Sequence, residues 1–139
     1  MSHVDDERIA RVRSTWALAA ADPDRTARTF YGNLFRHDPT TKPLFVHDLD
    51  LQGRKLTQML AFVIDHLDDA EVLMPAAEYL ARRHVGYGVT EAQYASVGAA
   101  LLETLRQLLG PALQPEDSAA WATTYAGLSG AMVKAAYHA

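Results

Sequence analysis

Residues that favour helices are far more abundant in this chain than the β-branched residues that favour strands. Alanine occurs 24 times and leucine 17 times among the 139 residues, whereas valine and isoleucine together occur 11 times. Because alanine and leucine stabilise helices and β-branched residues suit sheets, the composition predicts an all-α fold. Since neither an internal repeat nor a long linker divides the chain, we expect one domain over residues 1–139.

Proline, glycine and capping residues predict where the helices begin and end. Asp22 and Pro23 are typical of an N-cap followed by proline at the first helical position, and Thr90 with Gln93 forms a capping-box pattern. The segment 39–45 contains two prolines and suits one short turn or helix. With the spacing of apolar residues, these signals predict about six to eight helices, the long ones covering roughly 5–20, 23–38, 50–67, 75–84, 90–109 and 115 onward.

Charge and cysteine content exclude several classes of function. The formal net charge is −4, the isoelectric point is near 5.8 and no basic run is present, which argues against a nucleic-acid or anionic-membrane partner. The absence of cysteine excludes disulfides, thiolate metal ligands and a cysteine nucleophile. The longest uncharged segment, 118–133, is shorter than the roughly 20 apolar residues of a membrane-spanning helix. Because no secretory signal is visible at the N-terminus, we expect a cytoplasmic protein.

Histidine is the residue type with the clearest chemical potential near neutral pH. The sequence contains no paired histidines at zinc-ligand spacing, no serine nucleophile elbow, no P-loop and no dinucleotide-binding motif. His84 closes a predicted helix just before Gly86 and Gly88, a pattern that suits either a histidine favoured by the helix dipole or an axial ligand of a prosthetic group. The other histidines lie at termini, in turns or beside aspartates, where we expect solvated or ion-paired rings: His3, His37, His47, His66 and His138.

Three runs of sequence, in the right order, resemble bacterial globins. Residues 29–39, continued by Leu44 and Phe45, are similar to the second and third helices of bacterial single-domain globins and of the globin module of flavohaemoglobins. Residues 82–94 resemble their proximal helix and the helix after it, and Trp121 with Tyr125 resembles their last helix. The resemblance spans nearly the whole chain and implies a globin fold around a haem pocket, with haem b as the cofactor.

The resemblance also implies a set of site residues. His84 matches the axial iron ligand, and Tyr31 and Gln52 match the distal tyrosine and glutamine that face the bound gas. Further residues are expected to contact or support the haem: Phe45, Leu56, Met59, Leu80, Arg83, Val89, Tyr94 and Val97. Taken alone, Tyr31 is more often a core tyrosine and Gln52 more often a residue of the first turn of a helix. Phe45 is equally compatible with a hydrophobic core, and Arg83 suits either a haem propionate or solvent.

Two distal donors imply tight binding of oxygen. A hydrogen bond to a charged acceptor contributes about 1.5–3 kcal/mol, so each donor would slow oxygen release by roughly ten- to a hundredfold. The implied ligands are diatomic gases, namely oxygen, nitric oxide and carbon monoxide. The implied activity is nitric oxide detoxification or haem-peroxidase-type chemistry with an external reductase, because flavin and nicotinamide modules are missing. The alternative is plain oxygen storage, scavenging or gas sensing without catalytic turnover.

One departure from the family pattern lies in the last predicted helix. In flavohaemoglobins the axial histidine is coupled to a tyrosine, matched here by Tyr94, and to a glutamate. Residues 135–138 contain no carboxylate in the region where that glutamate is expected. We therefore expect the axial histidine to have weaker imidazolate character than in those proteins.

Overall fold

The computed structural model describes residues 3–45 and 48–137, which form a helical array without strands. His47 and His138 lie outside the described residues. The helices are α1 (His3–Ala19), α2 (Pro23–His37), a first 3₁₀ helix (Pro39–Leu44), α3 (Leu49–Asp65), α4 (Ala70–Gly86), α5 (Glu91–Leu109), a second 3₁₀ helix (Gly110–Ala112) and α6 (Pro115–Tyr137). The predicted all-α class is confirmed, and no helix in the described part of the chain is long and apolar enough to cross a membrane.

Local capping contacts explain where α2 and α5 begin. The Asp22 carboxylate accepts a hydrogen bond from the backbone N–H of Arg25 at 3.2 Å, ahead of Pro23 at the first helical position. At the start of α5, the backbone N–H of Thr90 donates to Oε1 of Gln93 at 2.9 Å. Both starts agree with the sequence prediction, because capping depends on residues within one turn of each other.

The predicted start of the next helix at Pro75 is wrong. Helix α4 begins at Ala70, and Pro75 lies in its second turn. The backbone N–H groups of Val72 and Leu73 donate to the carbonyl of Asp69, so the first turn is closed before the proline is reached. Pro75 has no backbone N–H, so one hydrogen bond near the start of α4 is missing. Packing of α4 on α6 compensates for that loss.

The larger hydrophobic core lies between α1, α2, α5 and the first half of α6. Its largest fully buried apolar side chains are Val12, Leu34 and Leu105. Trp121 packs 6.4 Å from the ring of Trp16, and its indole N–H donates to Thr15 Oγ1 at 2.7 Å. This core anchors α2, which carries Tyr31.

Helices α2 and α3 approach each other at a glycine. A Cβ placed on Gly53 would lie 2.8 Å from the Cβ of Ala27 and 3.7 Å from the ring of Tyr31. Because real Cβ atoms do not approach so closely, a larger residue would push α3 away from α2. Gly53 thus brings the first turns of α3 against Tyr31.

A second, smaller core joins α4 to the second half of α6 and the start of α5. Its buried members are Ala77, Ala81, Tyr94 and Met132, with Leu80, Val89 and Tyr137 packed against it. Helix α5 contributes to both cores and therefore connects the half of the molecule that holds Tyr31 with the half that holds His84.

Candidate functional site

Tyr31 lies in the large core, surrounded by aromatic rings. Its ring stacks on Phe35 with centroids 6.0 Å apart and meets the edge of Phe45 at 5.0 Å. Phe30 packs against it at 5.6 Å. Burial raises the pKa of Tyr31 to about 12, because the charged phenolate would lose its solvation. The hydroxyl is therefore protonated at neutral pH and available as a hydrogen-bond donor.

Gln52 stands in the first turn of α3, next to the close contact between Gly53 and α2. Its backbone N–H donates to the Asp48 carbonyl at 3.0 Å, and the Asp48 side chain caps the helix through the N–H of Asp50 at 2.9 Å. Its side-chain Oε1 is buried and has no hydrogen-bond partner among the described residues. Because a buried amide oxygen without a partner costs free energy, this position fits a group that interacts with a ligand.

His84 occupies the last turn of α4 and is half-buried. Its Nδ1 is buried and forms no hydrogen bond of standard geometry within the described chain. Burial lowers the pKa of His84, and the Leu80 carbonyl one turn earlier opposes part of that effect. The ring is therefore neutral at neutral pH, which is the form in which imidazole binds a metal.

Tyr94 packs beside His84. The two ring centroids are 6.0 Å apart with an interplanar angle of 29°. Burial raises the pKa of Tyr94 to about 12, and its hydroxyl is buried with no partner among the described residues. Three buried side-chain atoms lack a hydrogen-bond partner among the described residues. They are Oε1 of Gln52, Nδ1 of His84 and the hydroxyl oxygen of Tyr94.

Tyr137 is the residue that sequence reasoning missed on this side. Its hydroxyl donates to the carbonyl of Val89, and the N–H of Val89 donates to the carbonyl of His84 at 3.0 Å. Its ring lies edge-on to Tyr94 with centroids 6.5 Å apart. Tyr137 thus ties the turn after α4 to α6 in the region that lacks the glutamate. The available signal was its i, i+4 spacing from the apolar Val133.

The predicted apolar residues of the site are half-buried and divide between the two cores. Phe45, Leu56 and Val97 pack against the large core, whereas Leu80 and Val89 pack against the small one. Met59 is half-buried on α3. Half-buried apolar side chains from both cores, together with a neutral histidine and unpartnered polar atoms, fit a largely apolar cofactor held by one protein ligand.

Arg83 is exposed on the outer face of α4, between two tyrosines. Its Nη1 donates to the Tyr79 hydroxyl at 2.9 Å, and its Nε donates to the Tyr87 hydroxyl at 3.2 Å. These hydrogen bonds, to Tyr87 first and Tyr79 second, raise the pKa of Arg83. The guanidinium therefore has protein partners at the surface, and its pairing with a haem propionate stays a prediction.

The remaining described histidine side chains take part in surface contacts. His37 contacts the carboxylate of Glu103. Nδ1 of His66 lies 2.8 Å from the Phe62 carbonyl, while Asp68 binds Arg13 at 3.0 Å and has only a weaker electrostatic interaction with His66. In the parts of the chain that the structure describes, no cluster of three or more histidine or carboxylate side chains is arranged to hold a metal.

Comparisons with known proteins relate the chain to bacterial haemoproteins. The family described as Globin matches residues 28–132. The flavohemoprotein of Bordetella parapertussis is 32% identical over 127 residues, covering 89% of this chain and 32% of that protein. The flavohemoprotein of Vibrio cholerae is 30% identical over 122 residues, covering 86% and 31%. The chain thus spans about a third of the length of these curated relatives. A bacterial globin from Campylobacter jejuni superposes with a TM-score of 0.81 at 21% identity, covering 96% of both chains.

Proposed function

Because the chain belongs to the globin family and has the globin fold that its sequence predicts, we propose that it holds a haem that binds diatomic gases. The observation that carries the proposal is the half-buried, neutral His84 at the end of α4, with a buried Nδ1. A neutral imidazole could bind the iron through Nε2, while its buried Nδ1 has no hydrogen-bond partner of standard geometry among the described residues. The haem supplies the iron that binds the gas.

On the opposite side, Tyr31 and Gln52 supply the groups that hold the gas. The Tyr31 hydroxyl stays protonated because burial raises its pKa, so it donates a hydrogen bond over the whole physiological range. The amide nitrogen of Gln52 can donate as well, whereas its buried, unpartnered Oε1 can only accept a hydrogen bond. Each hydrogen bond to a ligand that gains negative charge is worth about 1.5–3 kcal/mol, which implies slow oxygen release.

Spectroscopic titration of the haem-free protein with haemin tests the binding step. We expect saturation at one haem per chain, an intense Soret band and further spectral changes on adding carbon monoxide to the reduced protein. Weak binding without a defined stoichiometry, or a spectrum equal to that of free haemin, would contradict the proposal.

Nitric oxide detoxification is the more specific activity that we propose for this site. It is supported by the likeness to flavohemoproteins at about 30% identity and by the pair of distal donors Tyr31 and Gln52. The reaction also needs a source of electrons, which a reductase supplies in the test. The test is nitrate formation from nitric oxide and oxygen with an added reductase, counted per haem. Many turnovers are expected, whereas a single turnover would favour the alternative of oxygen storage or scavenging.

A further inference from the structure

A cavity of about 260 Å³ lies between α2 and the beginning of α3. Its inner wall is formed by buried Tyr31 and Gly53 with half-buried Phe35, and its outer wall includes the exposed residues Gly32 and Leu49. The cavity therefore extends from the protein surface to the ring of Tyr31. Its volume is several times the roughly 30 Å³ that one water molecule occupies in the liquid, so a diatomic gas fits easily.

The mouth of the cavity carries charge, whereas its inner wall does not. Arg28 and Asp50 face each other across the gap between α2 and α3 with Nε and Oδ1 3.8 Å apart, and both side chains are more than half exposed. An exposed ion pair of this length contributes little free energy and opens readily. The inner wall consists of aromatic rings and the backbone of Gly53, which suit a small uncharged molecule better than an ion.

We propose that this cavity is the route by which the gas ligand reaches Tyr31 from solvent. The proposal rests on the proposed haem function and adds a path between two named helices. The close contact of Gly53 with Ala27 sets the separation of α2 and α3 beside the cavity, and both residues line it. The occupant is an uncharged diatomic gas, because the cavity leads to a protonated tyrosine through an apolar wall.

An access route has a kinetic signature that a binding contact lacks. Narrowing a route slows entrance and exit by the same factor, so it leaves the equilibrium dissociation constant unchanged. A substitution that instead disturbs Tyr31 changes the dissociation rate more than the association rate and shifts the affinity. Comparing both rate constants with the affinity therefore separates the two effects.

Gly32→Phe is the variant that fills the cavity. Gly32 lines it, and a Cβ at this position has no atom within 4 Å, so the helix accepts a side chain there. The matched control is Gly127→Phe on α6, where a Cβ is equally free of contacts. In the haem-loaded protein, we expect several-fold slower carbon monoxide association and dissociation for Gly32→Phe, with unchanged affinity. Gly127→Phe should retain the wild-type rates.

A second variant, Leu49→Trp, blocks the cavity from the α3 side, so that the result does not depend on Gly32→Phe alone. Both cavity variants should slow the two rate constants while leaving the Soret spectrum and the haem stoichiometry as in wild type. Wild-type rates in both variants would overturn the route. A change confined to the dissociation rate would also overturn it, since that result indicates a disturbed Tyr31. Failure to form any carbon monoxide complex would contradict the proposed haem function itself.

Discussion

The two sides of the candidate site are held in place by different kinds of contact. On the distal side, Tyr31 is positioned by the aromatic rings of Phe30, Phe35 and Phe45 within the large core. On the proximal side, His84 belongs to a region fixed by tyrosine hydroxyls that donate to backbone carbonyls. Tyr137 donates to Val89 there. A side chain that is held by packing depends on many weak contacts. A segment that is held by one hydroxyl-to-carbonyl hydrogen bond depends on that single interaction.

This difference determines how each side responds to substitution. Distal geometry changes when the large core is altered, and that core also carries much of the stability of the haem-free protein. The position of His84 should respond to the loss of one tyrosine hydroxyl, and the free energy of unfolding should change little. Substitutions in the two regions should therefore separate effects on folding from effects on the iron.

The largest expected effect comes from the core that supports the distal side. Leu105 is fully buried, so Leu105→Ala should lower the free energy of unfolding by about 2–5 kcal/mol through lost transfer energy and a cavity. Leu80→Ala in the small core removes a half-buried side chain and should cost clearly less. Urea unfolding of the haem-free proteins measures both. An equal or larger loss for Leu80→Ala would break the distinction between the cores.

Tyr31→Phe should affect gas binding much more than folding. It removes one hydrogen bond to the ligand while keeping the ring that packs on Phe35 and Phe45. We expect oxygen dissociation to accelerate by roughly tenfold, which corresponds to about 1.4 kcal/mol. Stopped-flow displacement of oxygen measures this rate, with Tyr79→Phe at an exposed position of α4 as a control that should keep the wild-type rate. An unchanged rate in Tyr31→Phe would remove Tyr31 from the distal role.

Tyr137→Phe sharpens the comparison from the proximal side. It removes the hydrogen bond to Val89 and should lower the free energy of unfolding by about 1 kcal/mol. The matched control Tyr125→Phe removes a similar bond, from Tyr125 to the Tyr94 carbonyl at 2.5 Å. Of these two variants, we expect Tyr137→Phe to shift the iron–histidine stretching frequency in resonance Raman spectra. A wild-type frequency in Tyr137→Phe would show that Tyr137 does not position His84.

The smallest expected effect concerns how the stability of the protein falls at low pH. It involves Asp38, which precedes the first 3₁₀ helix that leads to Phe45. Hydrogen bonds from Thr40 and then Ser96 lower the pKa of Asp38. A carboxyl whose pKa is depressed on folding adds stability above its unfolded pKa, and that stability is lost as the pH falls through its folded pKa. Ser96→Ala should therefore flatten the acid limb of a plot of Tm against pH, measured from about pH 5 down to pH 2. Ser129→Ala, whose hydroxyl donates to Ala126, is the control and should leave the slope unchanged.

Much of the helical framework follows from local sequence signals, because capping and proline act within one turn. The starts of α2 and α5 were predictable for this reason. Pro75 gave a wrong start for α4, because the first turn of that helix forms before Pro75, from Ala70 onward. The resemblance assigned Tyr31 and His84 to the site by their positions in sequence.

Features that depend on contacts between distant residues could not be predicted. The hydrogen bond of Tyr137 to Val89 spans 48 positions, and no local pattern encodes it. The same holds for the cavity between α2 and α3, which follows from how closely Gly53 lets the helices approach. Arg83 illustrates the opposite case, since its tyrosine partners lie four residues before it on α4 and four residues after it, just past the end of α4, and this spacing was visible in the sequence.

The most direct test of His84 as the axial ligand is the absorption spectrum of haem-loaded His84→Ala beside wild type, with His66→Ala, just after α3, as a control. The account predicts that His84→Ala loses the Soret band or shifts it strongly, and that imidazole added to the solution restores a spectrum close to wild type. His66→Ala should match wild type throughout, because its ring contacts Phe62 at the surface. An unaltered spectrum in His84→Ala would contradict the assignment of His84 as the axial ligand, and with it the proposed arrangement of the site.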